Sequence, residues 1–178
     1  MLKQIFRISL TGATAGFLVF TSCKFQKSSP ARLYTDPQYG FRITSPDSGW
    51  ILTDETGISE VLVIIKSEAM AEDFIPNVTI AVEILAGMMT AIEYGEKNQK
   101  SLTAQGYEVL SWEKTVINHN AFYDLQCLNR HVSPAMRFRY LCLVRNQVGF
   151  IIVCTAPEKY YANFARDFEF IVKSFRFL

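Results

Sequence analysis

Hydrophobic and polar residues in the first half of the chain follow a pattern that predicts four β-strands. Residues 41–44 alternate and are followed by Pro46, which cannot continue a strand, and residues 50–53 form a second short strand. The apolar runs at residues 61–65 and 78–85 are continuous and rich in β-branched side chains, which predicts strands that are covered on both faces. The polar stretch between these two runs is predicted to be a loop or a short helical segment.

A helix follows these four strands. Thr90 is a typical helix N-cap, and Glu93 three residues later completes a capping-box pattern. Gly106 is a typical helix stop, so the predicted helix covers residues 91–105. The pair Glu93 and Lys97 has the favourable spacing of four residues, which indicates a solvated helix face.

The second run of strands lies between this helix and the C-terminal segment. Strands are predicted at residues 108–117, 121–132, 136–145 and 148–155. The short connections between them, such as Asn146-Gln147, predict antiparallel hairpins. A two-residue turn at that position places Cys142 opposite Ile151.

The C-terminal segment, residues 159–175, carries apolar residues at helical spacing. They are Tyr161, Phe164, Phe168, Ile171, Val172 and Phe175. This wide apolar stripe predicts a helix that docks on a sheet. The fold class is therefore α+β, with an antiparallel sheet of about six strands flanked by helices.

The first 22 residues have the organisation of an export signal. Lys3 and Arg7 precede an apolar stretch at residues 8–20. The sequence Phe20-Thr21-Ser22-Cys23 resembles the lipobox of bacterial lipoproteins, although Phe20 stands where leucine is usual. The resemblance implies that residues 1–22 are removed and that Cys23 is acylated. Two or more acyl chains hold a protein stably at a membrane.

The lipobox implies three parts of the chain. Residues 1–22 are the lipoprotein signal peptide, residues 23–38 are a polar lipidated tether, and residues 39–178 are the folded domain. Two alternatives stay open. An ordinary signal peptidase would release a soluble exported domain, and an uncleaved leader would act as a retained anchor.

Charge and cysteine content narrow the function classes further. Eighteen Lys and Arg against seventeen Asp and Glu give a net charge of +1, which removes the usual electrostatic case for binding nucleic acid. Cys127, Cys142 and Cys154 lie in apolar segments and are interpreted as buried free thiols, while export leaves a disulfide among them open. No Cys-x-x-Cys motif is present, so we predict neither a metal nor a cofactor.

Two packing motifs resemble those of the PsbP-like domain family. One is Tyr39-Gly40-Phe41-x-Ile43-x-x-Pro46-x-x-x-Trp50, and the other is the ending Phe170-Ile171-Val172-Lys173-Ser174-Phe175. The resemblance extends over residues 33–178 and implies a PsbP-like α/β/α sandwich. The family includes an extrinsic photosystem II subunit, a nuclear import factor and bacterial lipoproteins similar to DcrB. These proteins are mostly binding and assembly modules.

Arginines in the second run of strands are candidate binding residues. Arg137, Arg139 and Arg145 share one face of the strand at residues 136–145, and Arg130 lies in the preceding strand. Guanidinium groups suit carboxylates and phosphates, so this set predicts a site for an anionic ligand or an acidic partner. The alternative is cross-strand pairing with acids such as Asp124.

The sequence contains no recognisable catalytic motif. We therefore predict a lipid-anchored module of the bacterial cell envelope, on the inner or outer membrane, that binds a protein partner and is not an enzyme. The alternatives are a lipid-anchored carrier of a small ligand and an unrecognised hydrolase. Met88 and Met89 form a second candidate contact, for which core packing beneath the loop is the alternative.

Overall fold

The computed structural model describes residues 32–178, so the predicted signal peptide and Cys23 lie outside the described residues. This part of the chain contains ten strands and two α-helices. They are β1 (Leu33–Asp36), β2 (Phe41–Thr44), β3 (Trp50–Thr53), β4 (Val61–Ser67), β5 (Asn77–Ile84), α1 (Ala91–Ala104), β6 (Glu108–Ile117), β7 (Asn120–Asn129), β8 (Met136–Arg145), β9 (Val148–Pro157), α2 (Tyr161–Ser174) and β10 (Arg176–Phe177). Neither of these helices is long and apolar enough to cross a membrane.

The strands form two antiparallel sheets. The large sheet has seven strands in the order β3-β4-β5-β9-β8-β7-β6, and the small sheet has the order β1-β2-β10. The predicted α+β class is confirmed, but the predicted number of about six strands is wrong. The large sheet alone has seven strands. The predicted segments correspond to β2–β9, and the two strands that the pattern missed, β1 and β10, are the first and last along the chain and carry too few residues for a clear alternation.

Two tight turns connect the four long strands in pairs. Asn118 and His119 join β6 to β7, and Asn146 and Gln147 join β8 to β9. All four residues have positive φ values, between 49° and 66°. This is the geometry of two-residue hairpin turns, whose twist matches that of the flanking strands. The predicted hairpins are confirmed.

One face of the large sheet is covered by α2 and by the small sheet. Phe175, at the end of α2, is fully buried and its ring stacks on Phe41 at 5.3 Å. Trp50 of β3 donates a hydrogen bond from its indole nitrogen to Asp167 of α2 at 2.9 Å. The predicted apolar stripe of the C-terminal helix therefore packs on the sheet, and this face holds the main hydrophobic core.

The opposite face of the large sheet is covered by α1. The ring of Tyr123 lies so close to Gly95 of α1 that no side chain fits there, and the ring of Tyr94 fills the same kind of space over Gly149 of β9. These two glycines allow helix and sheet to approach closely. The predicted capping box at the start of α1 is confirmed.

The folded domain begins before residue 39, where the predicted tether ends. Leu33 pairs with Thr44 across β1 and β2, so residues 33–36 belong to the small sheet and not to the tether. Tyr34 donates its hydroxyl to the carboxylate of Asp36, which also accepts the backbone N–H of Tyr39. The polar groups of these residues satisfy one another's hydrogen bonds within β1 and the turn that follows it. Their composition is typical of a linker, which is why the sequence pattern conceals the strand.

Candidate functional site

Arg139, the central residue of the predicted arginine set, lies in an ion-pair network between β8 and α2. Its guanidinium donates to Asp124 of β7 at 2.7 Å and to Glu169 of α2 at 2.7 Å. The side chains of Arg139 and Asp124 are only 18% and 3% exposed. Burial alone lowers the pKa of Arg139, but the hydrogen bonds to the two carboxylates outweigh burial and raise it. Arg139 therefore remains charged and already has its anionic partners.

Two other arginines of the predicted set also have partners inside the domain. Arg137 donates to Gln126 at 2.6 Å, and its guanidinium stacks over the ring of Tyr161 at 4.9 Å. Arg130 pairs with Glu108 at 3.2 Å and with Glu158 at 3.1 Å. Cross-strand and cross-element pairing, the alternative that the sequence left open, is therefore the arrangement found for these residues. The four arginines do not form one open cluster.

The ion pairs of Glu169 should make stability depend on pH in the acid range. Burial alone raises the pKa of Glu169, but hydrogen bonds from Arg139 and Lys173 hold it below its usual value. A lowered pKa stabilises the fold above the unfolded-state pKa, and that contribution is lost as the pH falls through the folded-state pKa. We expect the difference in unfolding free energy between wild type and Glu169→Gln to shrink as the pH falls from about 6 to about 3, measured by urea denaturation. A difference that stays constant over this range would contradict the assignment.

Of the four arginines in the predicted set, Arg145 remains available to bind an anionic ligand or an acidic partner. It is exposed at the end of β8, and its guanidinium lies over the ring of Phe177 at 4.1 Å. Within residues 32–178, no carboxylate lies at ion-pair distance from it. Arg145 lines a shallow cleft of about 280 Å3. The other lining residues are Pro37, Gln38, Tyr39, Gly40, Asn146, Val148 and Leu178.

A second and larger cleft lies beside the same hairpin turn. It has a volume of about 540 Å3 and is lined by Met88, Met89, Thr90, Glu93, Val144, Asn146 and Gln147. Met88 is 94% exposed, so core packing beneath the loop is wrong for this residue. The two clefts share Asn146 as a lining residue and therefore lie next to each other at the β8–β9 turn. We call this region, with its turn and two clefts, the loop end.

The cysteines and histidines lie outside the loop end. Cys127, Cys142 and Cys154 are buried free thiols, as predicted, and Cys142 pairs with Ile151 in the predicted register. Burial raises the pKa of each thiol to about 12, which keeps it protonated and unreactive. His131 is exposed, with its ring against Gly106. Residues 32–178 contain no group of three or more His, Cys, Asp or Glu placed to hold a metal ion.

Comparison with solved structures extends the description of the fold. The solution structure of cyanobacterial PsbP (CyanoP) from Synechocystis sp. PCC 6803 matches with a TM-score of 0.59 and 17% identity, over 89% of this chain and 98% of that chain. This chain has a PsbP-like fold. No family model matches the chain, and no curated protein matches it.

Two further solved structures are similar to this chain. A crystal structure from Bacteroides thetaiotaomicron matches with a TM-score of 0.59 and 11% identity, over 83% of this chain and 48% of that chain. A protein of unknown function from Pseudomonas aeruginosa matches with a TM-score of 0.57 and 14% identity, over 80% of this chain and 93% of that chain. At these identities the likeness concerns the fold alone.

The loop end combines residues that the sequence singled out separately. Arg145 and Met88 were both candidates, but nothing in the sequence pattern placed them on either side of one turn. Their proximity follows from the sheet order, in which β5 and β8 are both neighbours of β9. The β5–α1 loop and the β8–β9 turn therefore lie at the same end of these neighbouring strands.

Proposed function

We propose that the protein is a lipid-anchored binding or assembly module of the bacterial cell envelope, without catalysis of its own. The lipobox at Phe20-Thr21-Ser22-Cys23 supports acylation of Cys23, and the PsbP-like fold fits the kind of bacterial lipoprotein that is similar to DcrB. Helices on both faces of the large sheet support a PsbP-like α/β/α sandwich as the finer description. The anchor holds the domain at the membrane, and the loop end binds a protein partner.

The observation that carries the binding proposal is the chemistry on either side of the β8–β9 turn. One cleft offers the exposed, flexible side chain of Met88, which adapts to apolar partners. The neighbouring cleft offers Arg145, whose positive charge has no acidic partner in the described domain. A complementary partner carries an apolar side chain beside a carboxylate, which Arg145 can bind through two parallel hydrogen bonds.

Site-specific photocrosslinking in intact cells tests this proposal. A photoreactive side chain replaces Met88 in the loop end or, as a matched control, the exposed Thr103 on α1. We expect a defined crosslinked adduct from position 88 that is absent from position 103. The charge reversal Arg145→Glu should reduce that adduct about tenfold, as expected when a charge-assisted hydrogen bond becomes a repulsion. The same adducts at both positions, or an adduct insensitive to Arg145→Glu, would contradict binding at the loop end.

The volume of the Met88 cleft supports a second candidate, the lipid-anchored carrier. A cleft of about 540 Å3 lies within the size range of small-molecule sites. In this case an apolar fluorescent probe should bind with a one-to-one stoichiometry, and Val144→Arg at the cleft wall should abolish binding. Equal fluorescence enhancement by wild type and by Val144→Arg would remove the carrier function.

A further inference from the structure

The outer face of the small sheet carries two arginines in an unusual arrangement. In the register of β2 and β10, Arg176 lies directly opposite Arg42, and Thr35 of β1 lies on the other side of Arg42. The neighbours Phe41 and Phe175 are fully buried, so strand alternation directs both arginines outward. Both arginines are exposed.

Unlike Arg32, Arg130 and Arg139, these two arginines have no carboxylate partner in the described part of the chain. Directly opposed residues on antiparallel strands have Cβ atoms about 4.5–5.5 Å apart, where like charges destabilise the pair. No carboxylate within residues 32–178 forms an ion pair with Arg42 or Arg176. Residues 1–31 contain no Asp or Glu, so the start of the chain cannot supply one either. We therefore expect an anion from outside the chain to balance the two neighbouring positive charges.

Apolar side chains flank the arginines on the same face. Leu33 lies two residues before Thr35 on the outward side of β1 and is 52% exposed. Leu178 follows Phe177, donates its backbone N–H to the carbonyl of Gly40, and is 65% exposed. The other outward residue is Thr44, opposite Leu33. We call Leu33, Thr35, Arg42, Thr44, Arg176 and Leu178 the outer face, and it contains no acidic residue.

The composition of the outer face matches the chemistry of a phospholipid surface. Paired guanidinium groups bind phosphate oxygens, and exposed leucines enter the boundary between headgroups and acyl chains. Each basic residue near an anionic bilayer contributes about 1 kcal/mol of attraction. The chain reaches this face at Leu33, ten residues after Cys23, a length that spans at most about 35 Å.

We propose that the outer face docks onto the bilayer, with Arg42 and Arg176 bound to the phosphates of anionic phospholipid headgroups. This inference rests on the proposed acylation of Cys23, which keeps the domain within reach of the surface. Leu33 and Leu178 enter the interface on either side of the two arginines. Because Leu178 also lines the Arg145 cleft, that cleft of the loop end lies next to the docked surface. Docking through the small sheet holds the domain in one orientation on the membrane and leaves α1, on the far side of the large sheet, exposed to the aqueous phase.

A fluorescent label on the outer face tests the docking. The full-length acylated protein is reconstituted in vesicles, with an environment-sensitive label at Thr35→Cys or, as a control, at Thr103→Cys. The native thiols in the described domain are buried, so labelling is selective for the introduced cysteine. With about 30% phosphatidylglycerol in phosphatidylcholine we expect a blue shift at position 35 and none at position 103. In phosphatidylcholine alone the blue shift of the label at position 35 should be about tenfold smaller.

The double variant Arg42→Ser/Arg176→Ser should lower the equilibrium constant for docking about thirtyfold, because each of the two surface charges contributes about 1 kcal/mol and about 1.4 kcal/mol corresponds to a factor of ten. Its matched control is Lys100→Ser/Lys114→Ser, which removes the same charge from exposed positions elsewhere and should leave docking unchanged. Equal shifts at positions 35 and 103, an unaffected double variant, or displacement by millimolar inorganic phosphate would overturn docking on the bilayer.

Intact mass determination separates the failure of this inference from the failure of the proposed function. An acylated protein that shows no blue shift at position 35 contradicts the outer face as a docking surface, while the anchor stands. An unacylated protein contradicts the anchor. In that case, addition of the same variants to anionic vesicles still measures whether Arg42 and Arg176 bind them.

Discussion

A chain that ends at Lys159 is expected not to fold. This truncation removes α2 and β10, and with them Phe168, Ile171 and Phe175, which are each almost completely buried against the sheet. Each buried side chain of this kind contributes about 1.5–3 kcal/mol, so the loss is of the same order as the entire stability of a domain, about 5–15 kcal/mol. Circular dichroism and thermal melting should show no cooperative transition for residues 1–159.

Two variants of the full chain make this prediction quantitative. Phe175→Ala should cost about 3–5 kcal/mol, because its ring lies among those of Phe41, Phe122 and Phe150. Phe170→Ala lies on the exposed side of α2 and should change stability by less than about 0.5 kcal/mol. A soluble fragment 1–159 with a cooperative melt would show that the sheet is stable without its C-terminal helix.

The second large effect is expected for Asp124→Ala. This substitution leaves the guanidinium of Arg139 between β8 and α2 with only Glu169 as a charged partner. Removing one member of a buried ion pair typically costs about 3–5 kcal/mol, because the remaining charge stays desolvated. Urea denaturation of wild type and Asp124→Ala measures the difference directly.

The control for this prediction is Asp47→Ala, which removes the exposed ion pair with Arg32 and should cost less than about 1 kcal/mol. The double variant Asp124→Leu/Arg139→Met should recover most of the stability, because apolar side chains of similar volume often replace a buried ion pair without loss. An Asp124→Ala cost of less than about 1 kcal/mol would mean that Arg139 is solvated. Arg139 would then be free to bind an external anion, as the sequence hypothesis held.

The sequence predicted those parts of the fold that depend on local pattern. The capping box at Thr90, the hairpin turn at Asn146-Gln147 and the apolar stripe of the last helix each combine a local geometric requirement with residues that satisfy it. The PsbP-like motif around Tyr39 and Trp50 also predicted the fold, because its apolar positions are core contacts of the small sheet and of β3.

The arginine site could be predicted only in part, because its chemistry depends on contacts between distant elements. Alternation placed Arg137, Arg139 and Arg145 on one face of β8, and that placement is correct. The pattern could not show that α2 covers the first two, since Glu169 approaches Arg139 only after the C-terminal helix docks. The C-terminal helix α2 does not cover Arg145, because Arg145 is the last residue of β8.

The first and last strands along the chain, β1 and β10, could not be predicted from the sequence for a related reason. β10 is only two residues long, and β1 reads as part of a polar tether. Both are strands because they pair with β2 on either side. The opposition of Arg42 and Arg176 arises from that pairing, so no local pattern could indicate it.

Metabolic labelling with a palmitate analogue, with a parallel Cys23→Ser variant, tests the central claim most directly. Cys23 lies outside the described residues, so the anchor is a proposal from the lipobox alone. Wild type should carry the label and fractionate with membranes after high-salt washing, whereas Cys23→Ser should remain unlabelled. A wild-type protein without label, together with a Cys23→Ser protein that fractionates with membranes to the same extent, would contradict the account.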